Sequence, residues 1–107
     1  MTLPTRLVLQ VLLAESTARE MYGLEICHAA ELPSGTIHPI LARLEGCGWL
    51  ESRWEDIDPT REGRPRRRYY RLTGAGAERA ATALDRARLP EALIARPRLG
   101  LLGGVTA

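Results

Sequence analysis

The chain has 107 residues, a length that suits one domain and leaves little room for a second. Hydrophobic residues make up 45% and charged residues 26%, as in an ordinary soluble globular protein, and two cysteines are too few for a disulfide-bonded secreted mini-domain. The net charge of +2 is unevenly distributed, since residues 61–71 contain six arginines and one glutamate. So local a cluster of positive charge predicts a binding surface for a polyanion.

The first two segments have the apolar period of helices. Residues 2–15 predict a helix with an unusually wide apolar face. A face of this width indicates that the helix is buried on more than one side, which a second subunit would achieve. Residues 17–20 (TARE) resemble a capping box, with threonine at the N-cap and glutamate at N3, and predict a second helix through about Ala30. That helix is expected to bury Met21, Leu24, Cys27 or His28, and Ala30, and to end before Pro33.

A third helix is predicted from about Ser34, with Ser34 or Thr36 as its N-cap. Its core stripe falls at a helical spacing of i, i+3, i+4 and i+7, on Ile37, Ile40, Leu41 and Leu44. Pro39 is compatible with this helix if it lies in or near the first turn, and Gly46 and Gly48 supply the stop.

Two short alternating segments, 49–55 and 68–73, predict strands on either side of a polar, turn-rich loop that carries the arginines. Such a hairpin with a long basic loop is a wing. Thr73 is a plausible cap for a last helix over about 75–89, which Pro90 would interrupt or kink. Its small-residue face comprises Ala77, Ala80, Ala81, Leu84 and Ala87, and the glycine-rich apolar tail that follows has no assigned structure.

The order of elements predicts an α+β, mostly α, winged helix-turn-helix with three helices, a two-stranded wing and a C-terminal helix. Residues 1–73 would form the DNA-binding part, and residues 74–107 a dimerisation helix and tail of the same compact unit. A helix fits the major groove of B-DNA, where the base edges present a donor and acceptor code. The candidate DNA contacts of the third helix, off its core stripe, are Ser34, Gly35, Thr36, His38, Pro39 and Arg43.

The wing arginines Arg64, Arg66 and Arg67 would neutralise phosphates, and one of them could enter the minor groove. Simpler interpretations stand beside these. A charged loop is often only solvated, the hydroxyls of Ser34 and Thr36 can serve as caps, and His38 can be an ordinary surface histidine.

Four segments carry a family resemblance: residues 21–26 (MYGLEI), 34–45 (SGTIHPILARLE), 48–50 (GWL) and 69–73 (YYRLT). Over roughly residues 5–85 the chain resembles the PadR family of bacterial transcriptional regulators. The resemblance implies a winged-helix homodimer that binds an inverted repeat near a promoter, usually as a repressor, and dimerises through its first and last helices. It also favours a phosphate contact for Tyr22. His38 stands where the family commonly has tyrosine, and the short C-terminal region is similar to that of the short-tailed members.

Other classes of function lack support in the residues. An enzyme would need a phosphate loop, a nucleophile elbow or paired catalytic groups, and no cofactor is expected. Zinc is not expected either, because Cys27, His28, His38 and Cys47 match no paired-ligand spacing, and both cysteines are interpreted as reduced, buried thiols. Trp49 and Trp54 are assigned to core and interface.

The amino terminus lacks the basic region of a signal peptide, and residues 7–14 are too short to span a bilayer, so a cytoplasmic protein without a membrane partner is expected. A small-molecule effector remains open. The competing hypothesis is a winged-helix module that binds a protein through its basic wing and apolar tail.

Overall fold

The computed structural model describes the backbone of residues 1–99 and the side chains of residues 1–86, so the tail at 100–107 and the side chain of Ala87 lie outside the described residues. The chain folds into five α-helices and one three-stranded antiparallel sheet of order β1-β3-β2 within that range. The elements are α1 (Leu3–Val11), β1 (Met21–Tyr22), α2 (Gly23–Ala30), α3 (Ser34–Gly46), β2 (Leu50–Trp54), α4 (Pro59–Glu62), β3 (Arg68–Leu72) and α5 (Gly74–Leu99). This is the expected winged helix-turn-helix, with a third strand added to the wing.

The first helix lies where the sequence predicts it. Thr2 is the N-cap, its hydroxyl accepting from the Thr5 backbone N–H at 3.3 Å, and α1 continues into a wider π-helical segment, Leu12–Ser16. Ser16 is fully buried at the end of this segment. Its hydroxyl donates to the Leu12 carbonyl at 2.7 Å and accepts from the Leu72 N–H at 3.3 Å, which ties the first helix to β3.

The predicted start of the second helix at Thr17 is wrong. Residues 17–20 lie outside any helix, and Met21–Tyr22 form a short strand paired with Tyr70 and Tyr69 of β3. The helix begins only at Gly23, where the Glu25 carboxylate accepts from the Tyr22 N–H at 3.0 Å. Met21 and Tyr22 pair with β3, so their backbone groups are not available for an earlier turn of helix. A capping motif reports only on neighbouring residues and cannot indicate a pairing with a strand so far along the chain.

The core face of α2 is shifted from the expected one. Met21, Cys27 and Ala30 are buried as predicted, but Leu24 is 57% exposed and Ile26 is fully buried. The later helix start places Leu24 on the solvent side. Cys47, which follows α3, is exposed, so the expectation that both cysteines are buried holds only for Cys27.

In α3 the predicted core stripe is confirmed, since Ile37, Ile40, Leu41 and Leu44 are all buried. The N-cap is neither Ser34 nor Thr36 but Pro33, whose carbonyl accepts from the N–H groups of Thr36 and Ile37. Pro39 is therefore the sixth residue of the helix rather than a first-turn residue. Its missing N–H leaves the Gly35 carbonyl without a helical partner, and that cost is small because Gly35 is exposed to water.

The hairpin of β2 and β3 pairs Leu50 with Leu72 and Ser52 with Tyr70, so alternate residues point to the core. The loop between the strands contains a helical turn, α4, that was not predicted, and the Asp58 carboxylate caps it by accepting from the Thr60 N–H at 3.0 Å. Trp54 belongs to the inward-pointing set but lies beyond the end of the core, and its side chain is 59% exposed. Its assignment to the core is wrong, while an interface role stays a prediction.

The last helix begins where Thr73 predicts it, because the Thr73 hydroxyl accepts from the Gly76 N–H at 2.9 Å and also donates to the Gly48 carbonyl at 2.8 Å. Ala80 and Leu84 are buried against the core. The helix does not stop at Pro90 but continues to Leu99, so the predicted interruption is wrong, while a kink at Pro90 stays a prediction. A Cβ placed on Gly76 would overlap the Trp49 carbonyl oxygen, and this glycine therefore permits close contact of α5 with the entry to β2.

Candidate nucleic-acid interface

The amino-terminal half of α3 presents a small polar surface to solvent. Four of the candidate contacts there are exposed, namely Ser34, Gly35, His38 and Pro39, and Thr36 is half-buried beside the core stripe. Arg43 is exposed one turn further along the same helix. Because the first N–H groups of a helix have no intrahelical partner, this end also offers donors to an anion.

The starts of α2 and α3 touch at one point. A Cβ placed on Gly23 would lie 3.3 Å from Cε1 of His38, so the His38 ring rests against the first residue of α2. That contact gives the glycine of the Tyr-Gly motif a physical role. It also fixes one edge of the His38 ring while the side chain as a whole stays exposed.

Tyr22 belongs to a row of aromatic rings and arginines on the outer face of the sheet. Its ring meets that of Tyr69 edge to face, with centroids 5.8 Å apart, because the two residues are paired between β1 and β3. The Arg67 guanidinium lies 4.3 Å from the centroid of the Tyr22 ring, and that of Arg53 lies 5.2 Å from Tyr69. Arg53 is held in turn by a two-pronged contact with Glu20, whose pKa it lowers.

The base of the wing is closed by Glu55. Its carboxylate oxygens accept from the two terminal nitrogens of Arg64 at 2.7 and 2.9 Å, and one of them also accepts from the Arg67 N–H at 3.1 Å. The Glu55 N–H donates to the Arg67 carbonyl at 2.8 Å. The hydrogen bond from Arg64 is the main reason that the pKa of Glu55 falls from 4.5 to about 2.

The arginines of the wing therefore differ in what they offer to a ligand. Arg64 is balanced by Glu55, and Arg68 is engaged with Glu45 of α3 and with the Ser52 hydroxyl. Arg66 is exposed, and its Nε donates to the Ile57 carbonyl at 2.9 Å. In the part of the chain that the structure describes, Arg61 and Arg66 have no carboxylate partner.

Sequence reasoning identified the arginines but missed the groups that hold them. Tyr69, Arg53 and Glu55 were not among the candidate residues. The alternation of β3 could have placed Tyr69 and Arg67 on one face, but Tyr22 joins them only through β1, which was not predicted. The Arg68–Glu45 contact links the wing to the carboxyl end of α3 and so holds the two candidate DNA-binding elements in a fixed arrangement.

These elements are those of a winged-helix transcriptional regulator. The model of the transcriptional regulator PadR-like family matches residues 8–82, and the chain belongs to that family. Its members are regulators of transcription rather than enzymes. No protein with a curated description matches the chain.

Solved structures give the same fold. A PadR family transcription regulator from Clostridium difficile R20291 superimposes with a TM-score of 0.68 at 22% identity, over 89% of this chain and 97% of that one. A DNA-binding protein from Ralstonia eutropha JMP134 gives a TM-score of 0.60 at 26% identity, over 78% and 96% of the two chains. Reduced AbfR, whose structure was solved bound to DNA, gives a TM-score of 0.59 at 26% identity, over 79% of this chain and 57% of the AbfR chain.

Within the described residues, no helix is long and apolar enough to cross a membrane, and no group of three or more His, Cys, Asp or Glu side chains could hold a metal ion.

Proposed function

We propose that this chain is a sequence-specific DNA-binding repressor that acts in the cytoplasm and binds an inverted repeat as a homodimer. The observation that carries the proposal is the exposed amino-terminal half of α3 together with a basic wing, which Arg68 joins to Glu45 at the carboxyl end of the same helix. A surface of this kind can read base edges in the major groove and contact the flanking backbone at the same time.

In this proposal the start of α3 selects the site. Thr36, His38 and Arg43 have side chains that can donate to base edges, and the exposure of His38 and Arg43 supports such contacts. Ser34 and Gly35 are suited to a phosphate, because they are the first residues of the helix. Pro39 adds an apolar surface that can contact a thymine methyl group.

The wing and Tyr22 supply affinity rather than sequence discrimination. Arg66 and Arg67 bind phosphates, Arg66 because it has no carboxylate partner among the described residues and Arg67 because its guanidinium lies over the Tyr22 ring rather than in an ion pair. In this proposal the Tyr22 hydroxyl also binds a phosphate of the DNA backbone. Arg64 has a supporting role, since Glu55 already neutralises it and the pair shapes the hairpin from which its neighbours extend.

Dimerisation uses α1 and residues 74–107. Leu3 is 59% exposed, and Leu7, Val11 and Leu13 are only partly buried, so the first helix presents more apolar surface than its own chain covers. The last helix has 26 residues, which at the standard rise corresponds to about 39 Å. A helix of that length provides surface for a second subunit beyond Leu84, the last buried residue of the described side chains.

Sedimentation of the protein with and without a DNA duplex tests the assembly. The proposal expects a dimer at micromolar protein concentration and two chains on each bound duplex. A monomer that remains one chain per duplex would contradict it. Repression is tested separately, with a reporter promoter that carries the bound sequence, where expression should fall when the protein is produced.

A further inference from the structure

The wing carries an apolar cleft that lies apart from α3 and from the Tyr22 ring. Trp54, Pro59, Pro65 and Arg66 line this open cleft, which has a volume of about 530 Å³. The Trp54 side chain is 59% exposed there. The exposed tryptophan ring and the two prolines form an apolar surface that a partner could cover.

The Trp54 ring is held in position before any partner arrives. Trp54 and Arg68 face each other across β2 and β3, and the Arg68 guanidinium lies 5.3 Å from the centroid of the Trp54 ring. Arg68 is itself fixed by the Ser52 hydroxyl at 3.0 Å and by the Glu45 carboxylate of α3 at 3.3 Å. The ring therefore belongs to the face of the hairpin that is joined to α3.

The charged side chain that lines the cleft, that of Arg66, is positive. The adjoining helical turn that begins at Pro59 carries both signs, with Arg61 beside Asp58 at its N-cap and Glu62 at its end. Among the described residues neither arginine has a carboxylate partner, and the acid of the wing base, Glu55, is occupied by Arg64. A partner that presents negative charge directly beside an apolar surface, as the phosphate and deoxyribose of a DNA backbone do, would pair with Arg66 while it covers Trp54.

We propose that Trp54 is a DNA contact, whose ring packs against the deoxyribose of nucleotides whose phosphates Arg61 and Arg66 bind. The inference rests on the proposed function and extends it to an apolar contact outside α3. Apolar side chains of other DNA-binding proteins contact DNA directly at the minor groove, where they insert between base steps. Because a sugar is the same at every nucleotide, this contact adds affinity without selecting a sequence.

Salt dependence separates this role from that of the arginines. Trp54→Ala should weaken binding to a mixed-sequence DNA duplex by about tenfold, or about 1.4 kcal/mol, while the slope of affinity against salt stays that of the wild type. Arg66→Ala, the matched control in the same cleft, should reduce the slope. Trp54→Phe should keep most of the affinity. Wild-type affinity in Trp54→Ala would overturn the proposal, and so would a reduced slope, because Trp54 would then act by placing Arg68.

Tryptophan fluorescence provides a readout that does not depend on affinity. Trp49→Phe leaves Trp54 as the only tryptophan, and the same duplex should then shield it from quenching by acrylamide. Unchanged quenching while the anisotropy of a labelled duplex reports binding would overturn the proposal. Shielding that rises with protein concentration before DNA is added would also overturn it, since the ring would then contact another copy. A wild-type protein that binds no duplex would instead overturn the proposed function itself.

Discussion

Glu55 and Arg64 form a two-pronged ion pair, with oxygen–nitrogen distances of 2.7 and 2.9 Å, at the point where the wing leaves the sheet. The most basic stretch of the chain is thus anchored by an acid that lies just before it. This pairing removes Arg64 from the set of freely available cations and leaves Arg66 and Arg67 to extend from a defined hairpin.

The first prediction concerns the pH dependence of that anchor. The pKa of Glu55 is lowered from 4.5 to about 2 in the folded protein, so its ionised form adds stability above the unfolded-state value, and that stability is lost as the pH falls toward 2. Thermal unfolding of the wild type and of Glu55→Gln should differ by a constant amount above about pH 5 and converge toward pH 2. A difference that does not change across this window would contradict the assignment.

The second prediction separates the wing arginines by their partners. Replacing Arg66 and Arg67 with alanine should reduce the slope of DNA affinity against salt by about one for each phosphate that is no longer bound. Arg64→Ala should change the slope less, because Glu55 already neutralises Arg64. Anisotropy of a labelled duplex across a range of salt concentrations measures both. Equal slopes for the wild type and the Arg66/Arg67 double variant would exclude the wing from the backbone contact.

The third prediction assigns sequence discrimination to α3. Replacing Thr36 or His38 with alanine should reduce the preference for the selected site over random DNA by about 1–3 kcal/mol for each base that the side chain no longer reads. Competition binding with both duplexes measures this preference, and Arg66→Ala serves as the control that should weaken both equally. If the α3 variants also bind the two duplexes with equally reduced affinity, these residues position the protein and do not read bases.

The fourth prediction tests the contact between α5 and β2. Gly76→Ala should destabilise the fold by about 1–3 kcal/mol, because its Cβ would overlap the Trp49 carbonyl oxygen and the backbone would have to move. Gly74→Ala is the matched control, since a Cβ there has no neighbour within 4 Å. Chemical unfolding should show a neutral or slightly stabilised Gly74 variant. A Gly76 variant as stable as its control would contradict the close approach.

Local features of the sequence predicted most of the helical frame. The stripe of Ile37, Ile40, Leu41 and Leu44 follows a single period, and Thr73 caps the next helix within three residues, so both could be found without knowledge of distant contacts. The wing followed in the same way from alternation on either side of a polar loop.

Several features that escaped prediction depend on partners far along the chain or on the extent of the core. Tyr22 becomes part of a strand only because it pairs with Tyr69. The residues from Thr17 have the spacing of a capping box, but no helix follows them directly, so the motif caps nothing. The exposure of Trp54 depends on where the core ends, which its alternation cannot indicate. The roles of individual arginines likewise depend on which of them meets an acid, as Arg64 does.

Selection of bound duplexes from a pool of random DNA sequences tests the central claim most directly, since it examines binding, specificity and symmetry in one experiment. We expect the recovered sequences to converge on an inverted repeat whose half-sites are about one helical turn apart, as two α3 helices in a symmetric dimer would require. Recovered sequences with no common motif, or no enrichment over the starting pool, would contradict the account.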